Sequence, residues 1–342
     1  MHLFRHLLLL LAMLCSTNSS NTNTVLAWVE GNWTEVADFV ISGNAKGAVN
    51  AISAGGMWGV SHLNGSLTIN QAAVEEHRKI WQSTAAKAAG IRTFPVIGFG
   101  GNISVLRQLF AAQDQFITAL TEQIQSSQVD GVNIDFEPQA NVHDKSDPYT
   151  PTVDDGAAFA EFLDRLSKAV HKLPGRPTVS MDSESIVGAC WSTPPNPSHT
   201  WDYKPCPWIR NFWDFNRLVD TDLDRVIPMD TYTLNSTEFP FSLWYYQKYF
   251  SIDRLGFGVW PTKQVLSAEF AASRVNAFER YGANWISNWV INPGTKECPT
   301  WADVEERWAP WIPLYKTFLG NGEAVVEEDH LKGAEDGSGR SA

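Results

Sequence analysis

Two carboxylates lie near the end of a segment in which polar and apolar residues alternate, and their spacing would allow both to act on a single substrate. The segment runs from Val129 to Pro138. If it forms a β-strand, successive side chains point to opposite faces, and Asn133, Asp135 and Glu137 share one face. Residues two apart on a strand lie about 6 to 7 Å apart. Two carboxyl groups at that spacing can couple their titration and divide into a proton donor and a helper.

The opposite face of this segment is apolar, with Val132, Ile134 and Phe136. An unpaired carboxylate is too costly to bury in an apolar core, so both faces cannot be buried in the same way. We therefore expect the acidic face to line a solvated, functional cavity. The alternative interpretation is an ordinary strand whose terminal acids cap a helix or form ion pairs.

Strand and helix patterns alternate eight times along the chain, which predicts an α/β fold, a single-domain (β/α)8 TIM barrel over residues 25–320. A doubly wound open sheet is the alternative, but no Gly-rich phosphate loop follows the first strand. The predicted strands are Val25–Glu30, Gly47–Ser53, Arg92–Phe99, Gly131–Glu137, Thr178–Asp182, Arg225–Tyr232, Leu255–Trp260 and Asn284–Ile291. The predicted helices are Gln71–Ala88, Ile103–Ser126, Ala157–His171, Ala268–Tyr281 and Val304–Phe318.

The acidic segment resembles the catalytic strand of glycoside hydrolase family 18, whose pattern is Asp-Gly-x-Asp-x-Asp-x-Glu. Asp130, Gly131, Asp135 and Glu137 match position for position, while Asn133 replaces the usual Asp. The resemblance covers about residues 25–320 and implies a barrel with its site at the carboxyl ends of the strands. It places Asp130 and Gly131 in structural roles at the entry of the strand.

The resemblance also implies a mechanism, in which the substrate's own N-acetyl oxygen attacks the anomeric carbon and configuration is retained. Glu137 would protonate the leaving oxygen and later activate water. Asp135 would bind the acetamide nitrogen and stabilise the oxazolinium-like cation. We expect Asp135 to be ionised beside Glu137, which would keep the proton on Glu137. Asn133 can bind Asp135 but cannot share its charge.

The segment around Met229 should supply the tyrosine that, in the family, donates to the acetamide oxygen. Two registers are possible, because Thr231 falls at the tyrosine position in one and Tyr232 in the other. We favour the second register, which places Asp230 and Tyr232 on the cavity face and Met229 and Ile227 against the helices. A packing role for Tyr232 is the alternative.

Further pocket residues follow from the same resemblance. Trp289 corresponds to a sugar-stacking tryptophan, and Trp285 lies on the same face, deeper in the barrel; core packing is the alternative for both. Gly100, in a Gly-Gly pair after the third predicted strand, would let a ligand approach closely, unless the pair is a plain turn. Asp182 and Glu184 are candidates for pocket acids or for a solvated loop end.

Composition limits the partners. The net charge of −12 disfavours nucleic acid and anionic membrane surfaces. The 15 tryptophans suit a groove that stacks on sugar rings. We expect no cofactor and no metal, because the histidines are scattered and neither CxxC nor HExxH occurs. The expected partner is an N-acetylglucosamine-containing oligo- or polysaccharide, and the expected state is a monomer.

The chain ends predict secretion. Residues 1–24 read as a signal peptide with a short following segment, and 321–342 as an acidic disordered tail. Asn32, Asn64, Asn102 and Asn235 begin N-glycosylation sequons, as does Asn18 if it survives processing. In an oxidising compartment we expect a Cys190–Cys206 disulfide and a buried Cys298, although Cys298 could pair with either.

The sequence therefore predicts a secreted chitinase-type glycosidase that cleaves β-1,4-linked N-acetylglucosamine, in chitin or chitooligosaccharides. Two alternatives share the barrel: a catalytically inactive chitinase-like lectin, and an endo-β-N-acetylglucosaminidase acting on N-glycans. A hydrolase of another sugar linkage is a third. Fold alone does not decide among them.

Overall fold

The computed structural model describes residues 23–139, 150–184, 207–232, 238–261, 267–296 and 298–321. Its strands are β1 (Thr24–Val29), β2 (Ala51–Val60), β3 (Leu67–Ile69), β4 (Arg92–Asn102), β5 (Gly131–Gln139), β6 (Thr178–Ser183), β7 (Arg225–Pro228), β8 (Phe257–Val259) and β9 (Trp285–Ile291). Its helices are α1 (Trp33–Ala37), α2 (Gln71–Trp81), α3 (Thr84–Ala88), α4 (Ile103–Ala111), α5 (Gln113–Ser127), α6 (Val153–Val170), α7 (Pro207–Phe212), α8 (Phe215–Leu218), α9 (Glu238–Tyr246), α10 (Ala268–Arg280), α11 (Trp301–Trp308) and α12 (Ile312–Phe318).

Eight parallel strands form a ring with the order β7-β6-β5-β4-β2-β1-β9-β8, and β3 adds antiparallel to β2. The ring closes between β7 and β8. There Val226 and Leu255 form a parallel bridge, and the Gly256 amide donates to the Val226 carbonyl at 2.9 Å. The closure excludes an open doubly wound sheet. The predicted single-domain (β/α)8 barrel is confirmed.

The barrel has an outer and an inner apolar core. In the outer core, Phe136 of β5 lies against Phe159 and Phe162 of α6, with ring centroids 5.9 Å apart in both pairs. The predicted apolar face of β5 thus packs against the helices. The inner core lies within the ring and consists of Leu26, Trp28, Ala51, Phe94, Val96, Trp285 and Val290. The acidic face of β5 therefore faces the barrel interior.

The entry of β5 is tightly packed. The Asp130 carboxylate accepts from the Thr93 amide at 2.8 Å, which ties the start of β5 to β4. A methyl group at Gly131 would lie 2.7 Å from the Phe94 ring, closer than side chains approach one another. Both residues of the motif's first half thus serve the packing of the strand, in agreement with their predicted structural roles.

The strand predicted to end at Tyr232 stops at Pro228. Proline has no amide hydrogen for the ladder, so it favours a strand end. Met229–Tyr232 forms a 3-10 turn instead, in which the Thr231 hydroxyl donates to the Pro228 carbonyl at 3.1 Å. The two-residue alternation assumed for this segment therefore ends before Met229.

Three long predicted helices are each divided in two. The 71–88 segment forms α2 and α3, with Ser83 accepting from the Ala86 amide at the start of α3. The 103–126 segment forms α4 and α5, and the 304–318 segment falls within α11 and α12. Periodicity identified the helical segments, but apolar spacing does not report the breaks within them.

Several sequence-based predictions concern residues outside the described ranges. These are the signal segment up to residue 22, Asn235, the Cys190–Cys206 pair and the tail from residue 322. Cys298 is buried, as predicted. The side-chain oxygens of the sequon residues Asn32 and Asn64 accept from the backbone amides two residues further on. Within the described ranges, every helix is too short or too polar to cross a bilayer.

Candidate active site

β5 brings Asn133, Asp135 and Glu137 to the carboxyl end of the barrel, where they face its interior. In the β4–β5 register, Gly98 pairs with Asp135 and Gly100 pairs with Glu137. A methyl group at Gly100 would meet no atom within 4 Å. Glu137 therefore borders open space, and Gly100 lies at the edge of that space.

Asp135 and Glu137 share a side-chain hydrogen bond. Burial, the charges of Glu137 and Glu184, and this hydrogen bond raise the pKa of Asp135 to about 8. Burial and the Glu184 charge also raise the pKa of Glu137, but the hydrogen bond from Asp135 opposes the rise. Both pKa values are raised, so the pair retains a proton in the ligand-free protein at neutral pH, where the pH lies below the Asp135 pKa of about 8.

The raised pKa of Asp135 differs from the expectation of an ionised Asp135. One Asp135 oxygen is buried without a hydrogen-bond partner among the described residues, although the residue as a whole is partly exposed. Glu137 lies nearer the open end and is less deeply buried. Desolvation penalises the charged form of the deeper group more strongly. Burial is therefore the largest cause of the raised pKa of Asp135.

Asp182 and Glu184 of the β6 end belong to the pocket, which decides the question that the sequence left open. Asp182 is only 2 % exposed. Burial and the Asp135 charge raise its pKa well above the usual value, while the Asn133 amide opposes the rise. Glu184 is half-buried, and its charge acts on both Asp135 and Glu137.

Asn133 is fully buried between β5 and β6. Its amide donates to the Ser180 hydroxyl at 3.1 Å, and that hydroxyl donates to the Val132 carbonyl at 3.3 Å. The Asn133 side-chain oxygen has no partner within the described part of the chain. Asn133 thus forms part of the floor beneath the carboxyl pair and adds no charge there.

Tyr232 reaches the same acids from the 3-10 turn after β7. Its ring lies over Gly258 of β8, where a methyl group would come within 2.8 Å of it, and contacts Trp260 edge-on at 5.9 Å. Burial and the charges of Asp182, Asp135 and Glu137 raise the Tyr232 pKa well above the usual value. Tyr232 is therefore a neutral phenol and can act as a hydrogen-bond donor.

The register favoured for the Tyr232 segment was only partly right. Tyr232 lies at the pocket as predicted, but Ile227 does not pack against the helices. A methyl group at Gly256 would lie 2.9 Å from Ile227 and 2.7 Å from Trp285, so these residues meet inside the barrel. The side chain of Asp230 lies outside the described part of the structure.

Three tryptophans line the barrel interior from β1 and β9. Trp289 is half-buried and contacts Trp28 edge-on at 4.8 Å. Trp28 in turn donates to the Ser287 hydroxyl at 3.1 Å, which fixes its ring. The sequence analysis missed Trp28, although alternation along β1 places it on the interior face. Trp285 lies deeper, with the Arg225 guanidinium 5.2 Å from its ring centroid, and belongs to the barrel core.

The site combines a carboxyl pair that shares a proton, two further acids, a neutral phenol and an aromatic wall. Such a set can protonate a leaving oxygen, accept a hydrogen bond from an amide and stack on a sugar ring. Within the described ranges, no group of three or more His, Cys, Asp or Glu side chains has an arrangement suited to a metal ion.

No profile of a known family matches the sequence, and no curated protein matches it. Solved structures do match. A chitinase from Chromobacterium violaceum has a TM-score of 0.55 and 14% identity, covering 84% of this chain and 99% of that one. The Group IV chitinase of Ostrinia furnacalis, solved in complex with allosamidin, has a TM-score of 0.59 and 12% identity, covering 88% and 99%.

A chitinase-like agglutinin from Robinia pseudoacacia matches equally well, with a TM-score of 0.57 and 13% identity over 84% of this chain and 99% of that one. At such low identity these likenesses show the fold and nothing beyond it. Within that limit, the similarity inferred from the residues of β5 is confirmed: the chain has the barrel fold of family 18 chitinases and chitinase-like proteins.

Proposed function

We propose that this protein is a secreted glycoside hydrolase that cleaves β-1,4-linked N-acetylglucosamine with retention of configuration. The observation that supports the proposal most directly is the hydrogen-bonded pair Asp135 and Glu137 at the open end of the barrel. Glu137, beside the open space at Gly100, is the acid and base. Asp135, two residues earlier on β5 and deeper in the barrel, is its helper.

In the proposed reaction, the acetamide oxygen of the substrate attacks its own anomeric carbon while Glu137 donates a proton to the leaving glycosidic oxygen. Asp135, as a carboxylate, accepts from the acetamide N–H and stabilises the oxazolinium-like cation. The Tyr232 hydroxyl donates to the acetamide and holds its orientation. Glu137 then takes a proton from a water molecule, which attacks the anomeric carbon from the face that the leaving group left. The bond from the anomeric carbon to the acetamide oxygen breaks, the acetamide is restored, and Glu137 is again protonated.

The proton on Asp135 in the free protein is compatible with this scheme. An acetamide N–H that donates to Asp135 favours the charged form of that carboxyl, because a hydrogen bond to the charged form stabilises it. The shared proton then moves to Glu137 along the existing hydrogen bond. Substrate binding would thereby convert Glu137 into the acid that the first step needs.

Three features support a chitin-type substrate. The neutral Tyr232 hydroxyl and the half-buried Trp289 suit an N-acetylated sugar. Eight residues join β8 to α10, too few for a further domain wall, so we propose an open groove that accepts an oligosaccharide chain. Secretion, N-glycosylation and a Cys190–Cys206 disulfide form part of the same proposal, on sequence grounds.

A lectin without hydrolytic activity is the second candidate, because a chitinase-like agglutinin shares the fold. The presence of both Asp135 and Glu137 argues for hydrolysis. An enzyme that releases N-glycans from their chitobiose core is a third outcome of the same test.

The test uses a fluorogenic chitotriose substrate and, separately, a high-mannose glycoprotein. Wild type should release the fluorophore, Glu137→Gln should lose at least about 1,000-fold in rate, and both should bind chitotriose. Glu161→Gln, an exposed carboxylate on α6, is the control and should behave as wild type. Release of glycan alone would indicate the endoglycosidase, and binding without release the lectin. Normal cleavage by Glu137→Gln would refute the assignment of the acid.

A further inference from the structure

We propose that Asp182 is a positioning residue: it keeps its own proton and donates a hydrogen bond to the carboxylate form of Asp135, which favours the state in which Glu137 holds the shared proton. The inference rests on the proposed function of the Asp135–Glu137 pair. It adds to that pair a third carboxyl from the neighbouring strand.

The register of β5 and β6 places the two groups side by side. Asn133 pairs with Ser180 and Ile134 with Met181. One further step along the same register puts Asp182 next to Asp135, and neighbouring strands lie about 4.8 Å apart. Asp182 has the same parity as Ser180, whose hydroxyl binds Asn133 in the interior, so both carboxyls lie on the interior face.

Both groups have unmet hydrogen-bonding capacity. Neither Asp182 oxygen has a partner of ordinary geometry among the described residues, and one Asp135 oxygen also lacks one. A buried carboxyl oxygen without a partner is costly. A protonated carboxyl has one O–H donor, whereas a carboxylate only accepts. Once Asp135 is ionised, an Asp182 O–H could donate to the unpartnered Asp135 oxygen. Both carboxyl groups would then have a hydrogen bond that they lack without it.

The surroundings of Asp182 keep its proton in place. Among the described residues, the titratable groups that act on it are Asp135 and Glu137 from β5 and Tyr232 from the turn after β7. None of these is a cation that could pair with a charged Asp182, although the Asn133 amide partly favours its charged form. Burial and the Asp135 charge raise the Asp182 pKa, so a charge on Asp182 is disfavoured while Asp135 is ionised.

The proton balance of the step is simple. When an acetamide N–H donates to Asp135, one O–H bond breaks on Asp135 and one forms on Glu137, and the total charge of the pair does not change. Asp182 keeps its proton throughout. Its hydrogen bond to the Asp135 carboxylate lowers the free energy of the state that is ready to protonate the leaving group.

Three variants test this role. Asp182→Leu removes the donor at similar volume, and Asp182→Asn keeps an N–H donor but cannot titrate. Ser183→Ala is the control, since Ser183 is the next buried residue of β6 and its hydroxyl has no partner among the described residues. We expect kcat to fall about 10- to 100-fold in Asp182→Leu, the range for a lost charge-assisted hydrogen bond. KM should change less than about threefold.

The pH profile separates positioning from a purely structural role. Without the donor, Asp135 ionises less readily, so the basic limb of the kcat profile should move up by about one pH unit in Asp182→Leu. Asp182→Asn should stay within about fivefold of wild type, with its basic limb in place. Equal loss in both variants with an unmoved limb would overturn the proposal, and so would a wild-type profile in Asp182→Leu.

A second measurement does not depend on turnover, and the titration itself is followed in wild-type protein. Carboxyl carbon NMR of wild-type protein, with the Asp182 signal assigned from Asp182→Asn, should show Asp182 still protonated where Asp135 titrates. Ionisation of Asp182 before Asp135 would overturn the proposal. A wild-type protein that binds chitotriose without cleaving it would refute the proposed hydrolase, while the order of ionisation would still decide the role of Asp182.

Discussion

Asp135 holds its proton because the barrel removes water from a carboxyl that already has two acidic neighbours. Its pKa is about 8 in the folded protein and returns to the ordinary range when the chain unfolds. A raised pKa means that folding is favoured by protonation. The stabilisation is complete below the unfolded pKa and is lost as the pH rises through about 8. The site is thus assembled at the expense of stability at alkaline pH.

Asp135→Asn should remove this dependence. The amide cannot ionise, so the variant should lose less stability than wild type between pH 4 and pH 8. At pH 8 we expect its midpoint of thermal unfolding to lie at least about 4 °C above that of wild type, and near the wild-type value at pH 4. Scanning calorimetry at both pH values provides the measurement. Parallel curves for the two proteins would show that Asp135 is not a buried acid.

Trp289 is an aromatic residue of the pocket that is partly exposed. Trp289→Ala should weaken binding of chitotriose about 10- to 100-fold, since a stacked aromatic ring contributes about 1.5 to 3 kcal/mol on burial. Trp244→Ala, at a 40 % exposed tryptophan of α9, is the matched control and should leave binding unchanged. Isothermal titration with both variants measures the difference. Equal affinities of Trp289→Ala and Trp244→Ala for chitotriose would show that Trp289 packs the barrel and does not bind the sugar.

The residue scale also shows what sequence reasoning can and cannot reach. Alternation along β5 was enough to separate its acidic face from its apolar face, because the period of a strand is two. Alternation does not predict which carboxyl group holds the shared proton. That depends on depth in the barrel and on Asp182 and Glu184, which another strand brings to the pair.

At the scale of elements, close packing at the amino end of β5 fixes where its carboxyl end points. The Asp130 carboxylate binds the backbone of β4, and Gly131 leaves room for the Phe94 ring. Any residue larger than glycine at position 131 has to displace a strand or a ring of the inner core. The first half of the motif therefore supports the second half mechanically, without contacting substrate.

Gly131→Ala should destabilise the fold by about 1 to 3 kcal/mol, the usual cost of overpacking a core. Gly100→Ala is the matched control on the neighbouring strand, because its new methyl group would meet no atom within 4 Å. Urea unfolding should show a clear loss for the first and little change for the second. If both variants unfold at the same urea concentration, the entry of β5 is not tightly packed.

Element types were predictable from periodicity, but some of their ends were not. The stop at Pro228 follows from the missing proline amide, and it changes the direction of every side chain after it. Tyr232 therefore reaches the pocket from a 3-10 turn, and an alternation counted back from Tyr232 does not apply to Ile227, which lies before the stop and faces the interior. Tyr232 lies among the acids of the site, but the extended geometry assumed for its segment was wrong.

At the scale of the whole molecule, β7 and β8 are weakly paired next to the site, and this contact is called the seam. β4 and β5 share seven paired residues, whereas β7 and β8 meet through the Val226–Leu255 bridge among the described residues. β7 has four residues and β8 three. Regions with few contacts open at lower free energy than the rest of a fold. The Tyr232 ring, lying on Gly258, joins the turn after β7 to β8 across this seam.

Hydrogen exchange should therefore be at least about tenfold faster in β7 and β8 than in β4 and β5 of the free protein. A bound N-acetylated oligosaccharide that accepts from the Tyr232 hydroxyl should slow exchange at the seam, because the ligand ties down the residue that spans it. Tyr232→Phe keeps the ring on Gly258 but removes the donor, so it should retain the free-state pattern and lose most of the ligand's effect. Exchange with mass-spectrometric detection, with and without chitotriose, measures both. Equal protection of all strands of the barrel would contradict the weak pairing of β7 with β8. A ligand effect in Tyr232→Phe as large as in wild type would contradict the link between Tyr232, the seam and the site.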